Sequence, residues 1–111
     1  MKSNHILIQS EGLGRGDEKL GKLLMANFLR LLGEREDKPE AMIFWNAGVN
    51  LICEGSQVLE HIQKLESAGV EIFACTTCLE YFDLVDKLSV GKPTTMAKSI
   101  EAILDENLIA L

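Results

Sequence analysis

Four short apolar runs, separated by segments with a helical repeat, constrain this chain more than any other feature. The runs are "HILIQ" (5–9), "AMIFWN" (41–46), "VEIFAC" (70–75) and "LIAL" (108–111), and the half-polar "KLSV" (87–90) reads as a further strand between the last two. Continuous apolar runs of this length read as strands buried on both faces, which is the mark of a parallel sheet. Parallel strands need crossover connections, and the intervening segments supply helices for them. The order is therefore β-α-β-α-β-α-β-α-β. It predicts an α/β three-layer sandwich: a mainly parallel sheet of about five strands with helices on both faces and right-handed crossovers. At 111 residues the chain is one domain, 1–111, able to bury roughly two-thirds of its unfolded surface without a disulfide or metal.

The helical segments carry their own punctuation. Leu20, Leu23, Leu24, Phe28, Leu31 and Leu32 recur at offsets of three and four, which predicts an inward stripe. Asp17 and Glu18 stand at its start and Gly33 at its end. "AGVNLICEGS" (47–56) reads as a loop, with Ser56 capping a second helix that buries Val58, Leu59, Ile62 and Leu65 and stops at Gly69. A last helix, capped by Thr94 or Thr95, turns Met96, Ile100, Ile103 and Leu104 inward.

Charge and composition exclude several classes. The formal charge is −6 and no two basic residues are adjacent, so a phosphate backbone finds no cationic cluster and direct nucleic-acid binding is not expected. No apolar run approaches the ~20 residues that span a bilayer, and the start lacks the apolar core of a secretory signal. Neither membrane attachment nor export is expected, which leaves the cytoplasm. Three cysteines is an odd count, which suits reduced thiols better than a disulfide framework.

In a sheet of this kind chemistry gathers beyond the carboxyl ends of the strands. Three segments meet there: 10–17 with its glycines Gly12, Gly14 and Gly16, 46–55 with Asn46 and Cys53, and 75–78 with the paired thiols Cys75 and Cys78. Gly12, Gly14, Asn46 and Cys53 are candidate pocket residues. The glycine turn follows a strand and precedes a helix, yet it ends Gly-Asp-Glu where a P-loop needs Gly-Lys-Ser/Thr. It reads better as a flexible turn roofing a pocket than as a nucleotide site. Thr77 and Glu80 have the capping-box spacing, which predicts Cys78 at the first position of a helix with its thiol made more acidic by the helix start. Cys75 and Cys78 are the candidate catalytic pair. Small buried thiols are the plain alternative. Zinc would need a second pair of ligands, and only Cys53, His5 and His61 remain, so no metal and no cofactor is expected. The spacing also permits a dithiol redox switch.

The segments "ILIQSEGLGRGDEKLGKLLMANFL", "FWNAGVNLICEGSQVLEHIQKLESAGVEIFACTTCLEYFDL" and "KLSVGKPTTM" resemble the DsrE/TusD-like family, and within it the DsrE-like domain of YedF-type proteins. The resemblance runs from residue 6 to about 104. It implies an α/β sandwich, a sulfurtransferase-like role in sulfur relay with a link to selenium metabolism, and assembly into oligomers. It aligns the cysteine after the third strand with Cys75; Cys78 as an assisting or resolving thiol is inferred from its spacing. YedF-type chains usually carry a TusA-like sulfur carrier ahead of this domain, whereas this sequence starts at the DsrE-like strand. The expected function is acceptance and passing on of a persulfide sulfur, with a TusA-like carrier or another persulfide donor as partner. The alternatives are a noncatalytic ligand- or partner-binding module and the dithiol switch.

Overall fold

A computed structural model describes residues 4–105 and 107–111. Strand β1 (Asn4–Ile8) leads through the glycine turn to helix α1 (Glu18–Leu32). Strand β2 (Ala41–Phe44) is followed by a 3₁₀ segment (Asn46–Ile52), where a loop was expected, and by helix α2 (Leu59–Ser67). Strand β3 (Glu71–Cys75) runs directly into helix α3 (Thr76–Tyr81). A 3₁₀ turn (Val85–Lys87), strand β4 (Lys92–Thr94), helix α4 (Met96–Asp105) and strand β5 (Asn107–Ala110) complete the chain.

The sheet order is β4-β3-β2-β1-β5, and every neighbouring pair is parallel. The chain steps outward from β1 to β4 and then returns to the far side of β1. With right-handed crossovers, that reversal sends α4 to the face opposite α1 and α2. Alternation along the strands agrees. Ile6, Ile8, Met42, Phe44, Ile72 and Ala74 join the main core with Met25 and Leu29 of α1 and Ile62 and Leu65 of α2. Their neighbours His5, Ile43 and Phe73 line a groove of about 680 Å³ whose other wall is α4.

Several expectations change. Helix α2 begins at Leu59 with Val58 at its N-cap and no side-chain cap; Ser56 Oγ accepts from the Val58 amide at 3.2 Å instead of capping the helix. The fourth strand is Lys92–Thr94 rather than "KLSV"; Leu88 makes only an isolated antiparallel bridge to Cys53. Helix α1 buries Gly21, Met25 and Leu29, while Leu20, Leu23, Leu24 and Leu31 stay exposed. Apolar residues occupy more than half of this helix's circumference, so spacing alone leaves its rotation open. Gly21 sets it: a side chain on Gly12 would come within 2.8 Å of the Gly21 backbone, so the turn presses against the helix where both residues lack one. On α4 it is Ser99 that is buried, with Met96, Ile100 and Leu104 exposed. Thr95 is the residue that caps it, its Oγ1 accepting from the Lys98 amide at 3.2 Å.

Candidate functional site

Cys75 is both the last residue of β3 and the N-cap of α3. Its backbone is extended, and its Sγ accepts from the Cys78 amide at 3.4 Å, as a serine or threonine oxygen does at an ordinary N-cap. The expected Thr77 cap is therefore replaced by Cys75, and Cys78 falls at the third helical position. The Cys78 Sγ in turn accepts from the Asn46 amide at 3.1 Å. Two thiols thus stand in series, each receiving one backbone N–H. The donors come from the first turn of α3 and the first residue of the 3₁₀ segment.

This arrangement has local causes. Asn46 adopts φ +49°, a left-handed conformation that asparagine tolerates better than most residues. It turns the chain sharply out of β2 immediately after the amide that meets Cys78. The Trp45 amide still bonds the Ile8 carbonyl at 2.9 Å, which fixes where the turn begins. Thr76 Oγ1 donates to the Thr94 carbonyl at 2.8 Å and ties the start of α3 to the end of β4. Three strand ends are thereby locked around the pair.

Cys75 is 6% exposed, and Cys78 is partly exposed. Both are free thiols. Burial pushes the Cys78 thiol up from its ordinary range, and its hydrogen bond with Cys75 and the charge of Cys75 add to this, while the Asn46 amide works the other way. Desolvation thus outweighs the helix start, reversing the acidity expected for Cys78. As the more exposed of the two thiols, Cys78 borders solvent.

The other candidate pocket residues lie elsewhere. Cys53, 1% exposed, closes the far end of the 3₁₀ segment, about 14 Å along its axis from Asn46 at ~2 Å per residue. Burial, followed by the charge of Glu54, raises its thiol. Gly12 and Gly14 line a cleft of about 390 Å³ within their own turn. A second cleft, about 650 Å³, lies between α1 and residues 50–58. None of these clefts contains Cys75 or Cys78. Among the described residues no three His, Cys, Asp or Glu gather in a metal-holding group, and no helix is long and apolar enough to cross a membrane.

Asn46 stands at the strand edge where its sequence position placed it, although it acts through its backbone amide, which leaves no side-chain signature. One feature escaped the sequence reading: the α4 groove, where His5 Nδ1 is buried without a hydrogen-bond partner among the described residues. Its signal was present in the alternate strand residues His5, Ile43 and Phe73, once the core face had been told from the other.

No protein-family profile matches the chain, and no curated protein matches it. Solved structures do. The ychN protein from E. coli is similar over 100% of both chains, with a TM-score of 0.75 and 16% identity. Protein MTH1491 of unknown function from Methanobacterium thermoautotrophicum covers 99% of this chain and 100% of its own, with a TM-score of 0.70 and 19% identity. BT1422 from Bacteroides thetaiotaomicron, also of unknown function, gives a TM-score of 0.62 at 17% identity over 96% and 94%. At these identities the likeness is one of fold: a five-stranded parallel α/β sandwich.

Proposed function

We propose that the chain is a sulfur-relay protein of the DsrE/TusD-like, YedF-type kind, with Cys75 as sulfur acceptor and Cys78 as assisting thiol. The observation that carries this reading is the serial pair of amide–sulfur bonds at the strand edge. A sulfur anion at Cys75 accepts the Cys78 amide more strongly than a neutral thiol does, because hydrogen bonds to charged acceptors are stronger. The sequence resemblance and the shared fold support the same reading.

The step is balanced without an external oxidant. The Cys75 thiolate attacks the terminal sulfur of a donor persulfide. The donor S–S bond breaks, the donor leaves as a thiolate, and Cys75 carries the terminal sulfur as a persulfide. A partner thiolate, such as that of a TusA-like carrier, then takes that sulfur and regenerates Cys75. Cys78 supplies or holds a proton beside the transferred sulfur. The setting is the cytoplasm.

Mass spectrometry after incubation with a persulfide donor tests this. Wild type and Cys78→Ser gain one sulfur, and Cys75→Ser gains none. One sulfur retained in Cys75→Ser rejects the assignment. The contact of the Cys78 amide with the Cys75 sulfur, which holds the two residues together at one helix start, favours one second reading, a dithiol switch in which a peroxide withdraws two electrons and both thiol protons leave as the disulfide forms. Loss of two hydrogens on mild oxidation, with no sulfur uptake from the donor, would select it.

We also propose that the protein self-associates through α1. Leu20, Leu24, Asn27 and Leu31 follow four-three-four spacing along its outer face, with Leu23 beside them, and all five are exposed. This is the seam spacing of paired helices, and a second copy presents a matching seam.

A further inference from the structure

The strongest unassigned surface lies one helical turn beyond Cys78. Tyr81 is 83% exposed, the largest exposure among the large apolar side chains of the described residues, and Phe82 and Val85 are exposed as well. The two rings meet edge to face, 5.4 Å apart at 88°. Phe82 follows Cys78 by four residues, and its amide bonds the Cys78 carbonyl at 3.1 Å, so ring and thiol share one side of α3.

This knob is held rigidly. Asp83 takes φ +58°, its amide bonds the Glu80 carbonyl at 3.2 Å, and the Leu84 amide reaches back to the Leu79 carbonyl at 2.8 Å. These two bonds form the paired closure of a helix C-terminus. Leu79 and Leu84 anchor it in the core. The aromatic pair is therefore presented to solvent by a fixed turn, which spares a partner the cost of ordering it.

The charges around it have one dominant sign. Glu80, Asp83 and Asp86 are exposed, and none joins an ion pair among the described residues. Glu54, bonded through its amide to the Lys87 carbonyl, adds a fourth acid, and Lys87 is the one cation among residues 76–90. An aromatic centre inside an uncompensated acidic rim fits a partner with an apolar socket rimmed by Lys or Arg.

We propose that Tyr81, Phe82 and Val85, with their acidic rim, form the docking surface for a basic-rimmed protein that brings a reactive cysteine to Cys78 and Cys75. The proposal rests on the thiol-exchange reading of the pair. The partner presents an apolar socket, basic edges and a thiol, persulfide or disulfide between them.

The test uses mixed-disulfide formation, which any accessible thiolate performs, so its outcome is separable from that of sulfur transfer. The protein thiolate attacks the cysteine sulfur of an activated peptide disulfide, and pyridinethione leaves. Three probes are compared: a Leu/Lys-rich peptide with a pyridyl-activated cysteine, its Leu/Glu-rich twin, and a small neutral pyridyl disulfide. Wild type is expected to react roughly tenfold faster with the basic than the acidic peptide at low salt, with the advantage shrinking as salt rises. Glu80→Gln/Asp83→Asn/Asp86→Asn abolishes most of that preference and leaves the neutral probe unaffected. Asparagine keeps the left-handed turn at residue 83, so the variant retains its fold. Tyr81→Ser slows both peptides and spares the neutral probe. Equal peptide rates in wild type, or a preference unchanged in the triple variant, overturns the proposal. So does a wild-type dimer that Tyr81→Ser dissociates, which would give this surface to a second copy.

Discussion

At Cys78 burial and the Cys75 sulfur raise the thiol, and backbone hydrogen bonds, the larger from the Asn46 amide, oppose them. A raised thiol pKa means less thiolate at neutral pH than a free cysteine with its pKa near 8.5 would have. Alkylation of Cys78 should therefore lag behind that of a free thiol and recover only as pH rises. Replacing Asn46 tests the opposing contribution. Asn46→Gly keeps the φ +49° conformation and should leave the pH profile of Cys78 in place. Asn46→Val puts a β-branched residue in that region, should cost about 1–3 kcal/mol, and should move the Cys78 profile still higher by withdrawing the amide. Cys75→Ser should move it down, because Cys75 is one of the raising causes. Iodoacetamide rates across pH, with peptide mapping of the label, read all three variants. An unmoved profile in Asn46→Val would show that the 3.1 Å contact does not tune the thiol.

The elements were legible where a single period governed them and illegible where two solutions competed. Strands β1, β2 and β3 came from uninterrupted apolar runs, and their boundaries shifted by only a residue or two. Helix α1 existed as read, but its inward face did not follow from spacing, because leucines surround it and a Gly12–Gly21 contact decides the rotation. Strand β4 was missed because Lys92, Pro93 and Thr94 carry no apolar run; this edge strand needs only one partner, which suits a proline. The thiol pair was visible as spacing. Its cap was not, because Cys75 fills a role that the nearby Thr77 and Glu80 imitate in sequence. The 3₁₀ segment was also hidden, and one glycine shows why its position is exacting. A side chain on Gly48 would lie 2.5 Å from the Ile8 carbonyl oxygen, and that oxygen already accepts from the Trp45 amide. Gly48→Ala should therefore push the segment off β1 and destabilise the protein by about 1–3 kcal/mol, as overpacking does. Urea unfolding would give that value. The same variant should carry a higher Cys78 pH profile, since Asn46 heads the displaced segment; a destabilised protein with an unchanged profile would separate the segment from the site.

Over the whole molecule, the two sheet faces are unequally covered. One packs against α1 and α2, while the other has α4 alone among the described residues and keeps an open groove. Outside the core, α1 shows four leucines that its own chain does not bury. Leaving so many aligned leucines in water forfeits roughly 25 cal/mol for each Å² of apolar surface that a partner would cover, and isolated monomers seldom keep such faces open. The seam spacing makes a second copy the fitting cover. Asn27 stands inside that seam, where a polar residue fixes register between paired helices at some loss of stability. Sedimentation at micromolar concentration should therefore find the wild type heavier than its 12.3 kDa chain. Leu24→Glu/Leu31→Glu places like charges opposite one another across the seam and should return the protein to a monomer. Both positions are solvent-facing in one chain, so unfolding by urea should change little in the monomeric variant. Asn27→Leu should tighten the assembly while loosening its register, visible as additional species in the same experiment. A wild type that sediments as a monomer would remove the seam as an interface, leaving the docking surface beside Cys78 to be judged on its own reactivity.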